Sequence, residues 1–234
     1  MARVIFIGAG PGVADLMTLR GAQRLAEATV VLFDALTDPA LRDMAPQAHW
    51  VDVGKRGFDH AVSQAQINDL LLQHAVGDAV VVRLKGGDPS LFGRLEEELA
   101  TLQRAGIACE VVPGVTSALA AAAATLRPLT RRGTGRSVSF ATAMTRTLDL
   151  HATRSADTEV FYMAGKQLES LGAQLLGAGW EPDTPAWVVS RAGWPDQRAS
   201  AHTVSDLAQA AHLHEGRPTV VTVGAGARSI ASRP

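Results

Sequence analysis

Between residues 4 and 112, short runs rich in Val and Ile alternate with longer amphipathic stretches. That alternation predicts strand followed by helix, not a succession of hairpins. Five strands are expected at Val4 to Gly8, Thr29 to Phe33, His49 to Val51, Ala79 to Leu84 and Cys109 to Val112, with helices over 15–27, 38–44, 63–76 and 92–105 between them. Ser63 with Gln66 three residues later forms a capping-box pattern at the start of the third helix. Strands that read as nearly unbroken apolar runs, separated by helices, imply a mostly parallel sheet covered on both faces.

Pro113-Gly114 interrupts the alternation, and Val115-Thr116-Ser117 leads into a run of very small side chains from Ala118 to Ala124. A helix so small on every face can pack close to a neighbouring backbone, which places it in the interior or at a domain junction. Beyond it, strands are expected at Ser137 to Thr142, Glu159 to Met163, Ala186 to Ser190, Arg198 to His202 and Thr219 to Val223, with helices over 166–178 and 204–211. The short spacing between the last strands suggests hairpins and a mixed sheet. The pattern therefore describes a two-lobed α/β chain divided at Pro113, with residues 1–112 in one lobe and 113–234 in the other.

Composition narrows the functional classes. The 22 Lys and Arg balance 23 Asp and Glu for a net charge of -1, which argues against a protein whose main partner is nucleic acid. No apolar run approaches the stretch of about 18 residues that a membrane span needs, so neither a membrane nor a secretory route is expected. Cys109 alone supports neither an intrachain disulfide nor a multi-cysteine metal site, which fits a reducing, cytoplasmic setting. Its place in a strand predicts a buried apolar role. The even balance conceals one local excess: Arg127, Arg131, Arg132, Arg136 and Arg146 occur with no Asp or Glu between them. Guanidinium groups match carboxylates through paired hydrogen bonds, so this stretch suits a polycarboxylate or a phosphate, or is simply solvated charge.

Candidate chemistry gathers at strand ends. Gly8-Ala9-Gly10-Pro11-Gly12 lies between a strand and a helix, where glycines let the backbone turn tightly and approach a ligand. Asp34 follows the second strand, the place from which a dinucleotide fold grips a ribose hydroxyl. The fingerprint for that fold fails at Val13, and Pro11 removes a donor, so a tight turn without a dinucleotide explains the loop as well. Arg83-Leu84-Lys85-Gly86-Gly87-Asp88-Pro89 is a second glycine-rich loop at a strand end, either a ligand loop or a local turn. Gly54-Lys55-Arg56-Gly57 presents a basic pair between glycines. His212-Leu213-His214 and Glu96-Glu97-Glu98 read as surface.

Taken in order, these segments resemble the tetrapyrrole methylase family. The resemblance runs from Val4 to about Val223 and adds Leu16-Met17-Thr18-Leu19-Arg20, Gln66-Ile67-Asn68, Phe92-Gly93-Arg94, Val112-Pro113-Gly114-Val115-Thr116-Ser117, Pro128-Leu129-Thr130, Phe161-Tyr162-Met163 and Asp196-Gln197-Arg198 to the loops above. It implies a homodimer of two-lobed chains that binds S-adenosylmethionine, with no metal, in a cleft between the lobes. It also implies methylation of uroporphyrinogen III or a related tetrapyrrole, at C2 and C7 in the case of uroporphyrinogen III, giving precorrin-2 for sirohaem or cobalamin synthesis. Cofactor contacts would fall on Pro11, Gly86, Gly87, Asp88, Leu91, Thr116, Ser117, Met163 and Ala192. Asp34 would be the proton acceptor and Lys55 the proton donor, displacing the ribose role of Asp34. Arg56, Arg131, Arg132 and Arg136 are assigned here, from charge, to the substrate carboxylates.

The chain departs from the family pattern at Val13-Ala14, Phe33, Leu95-Glu96, Ala143-Met144 and Ser190-Arg191. Backbone contacts to a cofactor survive such changes more readily than side-chain contacts to a substrate. A relative with altered specificity, or one that binds without catalysing, is therefore the alternative expectation.

Overall fold

A computed structural model describes residues 1–54, 62–144 and 152–230. The chain divides into two compact units, Met1–Thr116 and Ser117–Pro234.

In the first unit, β1 (Arg3–Gly8), β2 (Val30–Phe33), β3 (His49–Asp52), β4 (Val80–Lys85) and β5 (Ala108–Val112) form a wholly parallel sheet in the order β3-β2-β4-β1-β5. The period of two along each strand sorts its side chains between two cores. On one face Ile5, Ile7, Val31, Val82 and Leu84 pack with Leu25 of α1 (Leu19–Ala26). On the other, Val4, Phe6, Leu32 and Val81 pack with Ile67 and Leu71 of α2 (Gln64–His74) and Leu102 of α3 (Leu95–Arg104). Full burial of such side chains is worth about 1.5–3 kcal/mol each. Ser63 and Gln66 form the expected capping box.

In this unit two helical segments differ from the sequence pattern for local reasons. The helix expected over 15–27 begins only at Leu19, because Thr18 takes the N-cap and accepts from the Gly21 amide at 3.1 Å; Ala14–Leu16 form a separate 3₁₀ turn. The segment expected as a helix over 38–44 is a 3₁₀ helix, Pro39–Met44, capped by Asp38.

In the second unit, β6 (Val138–Thr142), β7 (Thr158–Tyr162), β8 (Pro185–Ser190), β9 (Arg198–Thr203) and β10 (Thr219–Gly224) form a mixed sheet in the order β6-β7-β10-β8-β9. Only the β6 and β7 pair is parallel. β9 forms its hairpin with the preceding β8, and β10 inserts between β7 and β8. Leu168, Leu171 and Leu175 of α5 (Leu168–Gly177) fill one face with Phe161, Val188, Val221 and Val223. The alanine helix α4 (Ser117–Ala124) buries Ala118, Ala120 and Ala121. The helix expected over 204–211 is a 3₁₀ turn, Leu207–Ala210, continued by the short α6 (Ala211–His214).

Candidate functional site

The order of the first sheet creates a crossing at its carboxyl end. The connection leaving β1 heads for β2 and so passes the end of β4, while the connection leaving β4 heads for β5 and passes the end of β1. The two loops cross over adjacent strand ends, and glycines stand where they meet. Gly10 and Gly87 pair as an isolated bridge, with Gly87 N donating to Gly10 O at 2.7 Å, and both take left-handed φ values of +79° and +71°. A Cβ on Gly114, after β5, would stand 2.2 Å from Gly87 O and 2.7 Å from Gly8 Cα. Gly8, Gly87 and Gly114 thus pack backbone to backbone.

This crossing gathers six of the sequence-assigned cofactor residues of the first unit: Pro11, Gly86, Gly87, Asp88, Leu91 and Thr116. Asp88 holds the arrangement. Its Oδ2 accepts from the Gly114 amide at 2.8 Å and its Oδ1 from the Ser90 amide at 2.8 Å, so one carboxylate ties the β4 loop to the β5 loop. Leu91 N donates back to Asp88 O. A Cβ on Gly86 or Gly87 would meet nothing nearer than 3.5 Å, in Leu36 and Thr116 respectively. There is consequently a backbone-lined cradle at the strand ends, with peptide groups accessible to a ligand. That is the place where open parallel sheets receive small molecules, and it fits an adenosyl cofactor held largely by main-chain groups.

Asp34 follows β2 beside this cradle, since the next turn brings Leu36 within van der Waals reach of Gly86. Arg83 Nη2 donates to Asp34 Oδ1 at 2.7 Å. Arg83 and Lys85 share the face of β4 that Val81 presents to α2 and α3, and they are almost completely buried there. Glu98, in the first turn of α3, answers both: Lys85 Nζ donates to Oε1 at 2.8 Å, and Arg83 Nε stands 3.4 Å from Oε2. Gln64 of α2 also donates to Glu98 Oε1 at 3.1 Å. Burial and the neighbouring Arg83 charge pull the Lys85 pKa below the usual lysine range, opposed by Glu98 and Asp34. Glu98 is therefore not the solvated residue that three successive glutamates suggest; it has no exposed surface. Two cations on a buried strand face required an acid from the helix that covers them.

Before the next assigned residues comes Gly54, where a Cβ would stand 2.3 Å from Ala35 N. The segment after β3 thus starts against the residue following Asp34. Lys55 and Arg56, next in sequence, lie outside the described residues. Cys109 is exposed, contrary to expectation, because β5 is an edge strand that among the described residues pairs with β1 alone.

In the second unit, Ser117 opens α4, and Met163 and Ala192 follow the ends of β7 and β8. Met163 adopts φ +58° and Arg191, before Ala192, φ +50°. Bulky residues held in the left-handed region cost free energy and are concentrated at functional sites. The Arg191 turn is pinned from several sides: Arg191 N donates to Pro218 O, and Arg191 Nε and Arg217 Nη2 both reach Asp196, at 2.8 and 3.1 Å. Behind it, Arg217 Nε donates to Ser190 Oγ at 3.0 Å, and the same hydroxyl lies 2.9 Å from His214 Nδ1. Ser200 Oγ joins His214 Nε2 to His202 Nε2 at 2.9 and 2.7 Å. His214 is fully buried, not a surface residue, and burial, His202, Arg217 and Arg198 push its pKa down to about 4. His212 is exposed as expected.

The arginine stretch separates into two kinds. Arg127 stacks 3.5 Å above the Trp187 ring centroid and donates to Ala227 O and Thr125 O. Arg131 donates to the carbonyls of Ala225, Arg228 and Ser229. Both guanidinium groups fasten the C-terminal segment. The side chains of Arg132 and Arg136 are exposed, and Arg146 lies outside the described residues. The stretch that lacks acids in sequence meets one in space: Asp157 accepts from the amides of Arg136 and Ser137.

Comparison with known proteins places this geometry. The uroporphyrinogen-III C-methyltransferase of Pseudomonas aeruginosa is 39% identical, over 99% of this chain and 97% of that protein. The Bacillus subtilis protein of the same name is also 39% identical over 94% of this chain, which spans only about half of that longer relative, 48%. Among solved structures, uroporphyrin-III C-methyl transferase from Thermus thermophilus, complexed with S-adenyl homocysteine, superimposes with a TM-score of 0.82 at 36% identity, covering 95% of this chain and 97% of that one. The family model for tetrapyrrole (corrin/porphyrin) methylases matches residues 3–208. With most of its length inside that match and its strand-end loops built as described, the chain belongs to the tetrapyrrole methylase family.

Proposed function

We propose that this protein is an S-adenosylmethionine-dependent C-methyltransferase that converts uroporphyrinogen III to precorrin-2 by methylating C2 and C7. The observation that carries the reading is the near end-to-end match to the Pseudomonas aeruginosa enzyme. The glycine-locked loops support it, because they leave the main chain of Gly86 and Gly87 accessible while Asp88 fixes their shape. The relative complexed with S-adenyl homocysteine, the donor after its methyl group has left, supports the cofactor.

When bound, S-adenosylmethionine supplies an already activated methyl group, so the protein's task is alignment and proton handling. In the first unit Pro11, Gly86, Gly87, Asp88, Leu91 and Thr116 would hold the cofactor; in the second, Ser117, Met163 and Ala192 would. Attack through a pyrrole carbon leaves positive charge on the tetrapyrrole, and loss of a proton from it restores the neutral ring system. Asp34, about one third exposed and held by Arg83, is the group assigned to accept a proton, with Lys55 as donor. Arg56, Arg132 and Arg136 are assigned to the substrate carboxylates; Arg131 contributes by holding the segment at 225–229 in place. The active form is assigned as a homodimer in the cytoplasm. Among the described residues no helix is long and apolar enough to cross a membrane.

Anaerobic incubation with methyl-labelled S-adenosylmethionine and uroporphyrinogen III tests the reading: label should appear in a dimethylated tetrapyrrole. Binding of S-adenosylmethionine without transfer to uroporphyrinogen III would instead support a carrier or a methylase of another tetrapyrrole.

A further inference from the structure

The ends of β2 and β4 and the first turn of α3 hold four charges in alternation: Asp34, Arg83, Glu98 and Lys85, linked at 2.7, 3.4 and 2.8 Å. Arg83, Lys85 and Glu98 are each at least 97% buried, while Asp34 reaches the surface beside the glycine cradle. Buried ion pairs are costly, and well-packed apolar side chains of similar volume commonly serve stability as well or better. Something other than stability is the better account of why a sheet with ample apolar surface carries this chain of charges.

We propose that Arg83 and Glu98 are positioning residues that fix the carboxylate of Asp34 for proton transfer. The proposal rests on the reading of Asp34 as proton acceptor. Arg83 is oriented from several directions: Nη2 toward Asp34, Nη1 toward the carbonyl oxygens of Leu84 and Leu32 at 3.0 and 3.4 Å, and Nε toward Glu98. A guanidinium is planar, so contacts on several of its nitrogens define its plane and hence the line along which it grips Asp34. Glu98 is fixed in turn by Lys85 and Gln64 on Oε1, which leaves Oε2 turned to Arg83. Among the described residues neither Arg83 Nε nor Glu98 Oε2 has a hydrogen-bond partner, and the two face each other at 3.4 Å. The same assembly supports the cofactor loop: a Cβ on Gly93 would stand 3.2 Å from Lys85 Cε and 2.6 Å from Pro89 O. Lys85 is thus the member of the network that touches this loop, whereas Arg83 is the member that touches the carboxylate.

A double-mutant cycle tests the coupling. Asp34→Asn, Arg83→Met and the double variant are compared by single-turnover label transfer, with S-adenosylmethionine affinity measured by calorimetry. Arg83→Met is expected to lower the transfer rate about tenfold with cofactor Kd unchanged within about twofold, and to cost nothing further once Asp34 is Asn. Losses that multiply in the double variant, or a parallel loss of cofactor affinity, overturn the positioning role while leaving Asp34 catalytic. A fully active Asp34→Asn overturns the underlying reading instead. If Arg83→Met does not fold, Glu98→Gln replaces it in the cycle: it keeps the shape that Lys85 and Gln64 hold but removes the charge facing Arg83, with a smaller rate loss expected and the same absence of further loss with Asp34→Asn.

Discussion

The two units bury polar groups in different ways. The first unit buries full charges, Arg83, Lys85 and Glu98, and neutralises them against one another at the ends of a parallel sheet. The second holds its buried carboxylate, Glu159, with the Thr153 and Ser155 hydroxyls and the Ser155 amide, and behind the left-handed turn at Arg191 it buries Ser190 and His214, which the half-buried Ser200 links to His202. In the first, each charge is tolerable only while its partner is present. In the second, the histidine is tolerable only while it carries no proton. The lesson is that the same need, to fix a loop at a strand end, is met by pairing in one case and by keeping a titratable group neutral in the other.

The largest expected effect comes from breaking the pairing. Glu98→Ala leaves two cations buried without their acid and should cost about 3–5 kcal/mol in urea unfolding; a loss under about 1 kcal/mol would mean that Arg83 and Lys85 find other partners or water. The buried histidine is tested by pH. An unfolded histidine protonates near 6.5, whereas His214 resists until about 4. Its contribution is therefore complete above pH 6.5 and is lost as pH falls toward 4, a decline of about 3 kcal/mol at about 1.4 kcal/mol per pKa unit. His214→Gln should flatten that part of the stability profile. An unchanged slope would assign the acid sensitivity to other groups.

Smaller effects sharpen the contrast between strand-end packing and surface charge. Gly114→Ala drives a methyl group into the Gly87 carbonyl and should cost about 1–3 kcal/mol, with weakened S-adenosylmethionine binding measured by calorimetry. Retained affinity would detach the glycine crossing from cofactor binding. Least affected should be the variant Arg132→Gln with Arg136→Gln: both side chains are exposed, so a few-fold rise in KM for the tetrapyrrole, larger at low salt, is expected with stability unchanged. A KM unaffected by both substitutions would remove these arginines from substrate binding.

All ten strands among the described residues were legible, because apolar runs bounded by turn residues carry their own signal. Helix starts were less so. Thr18 and Asp38 cap their segments in ways that spacing alone does not reveal, and Pro39–Met44 closes as a 3₁₀ helix. The glycine loops and Asp34 stood out by composition, but their meeting depends on strand order, a long-range property that no single loop encodes. Glu98 was misread because acids in the first turn of a helix usually face solvent. The signal lay elsewhere, in Arg83 and Lys85 two residues apart on an otherwise apolar strand, which puts two cations on one covered face. His214 was hidden in the same way, since its partners Ser190 and Ser200 come from strands distant in sequence.

The role proposed for the strand-end cradle and Asp34 is double methylation of one tetrapyrrole. Mass spectrometry of the tetrapyrrole after anaerobic turnover with S-adenosylmethionine measures this directly. A gain of two methyl substituents per uroporphyrinogen III is expected from the wild-type protein, with the rate sharply reduced in Asp34→Asn. A product unchanged in mass from a protein that binds S-adenosylmethionine would contradict it.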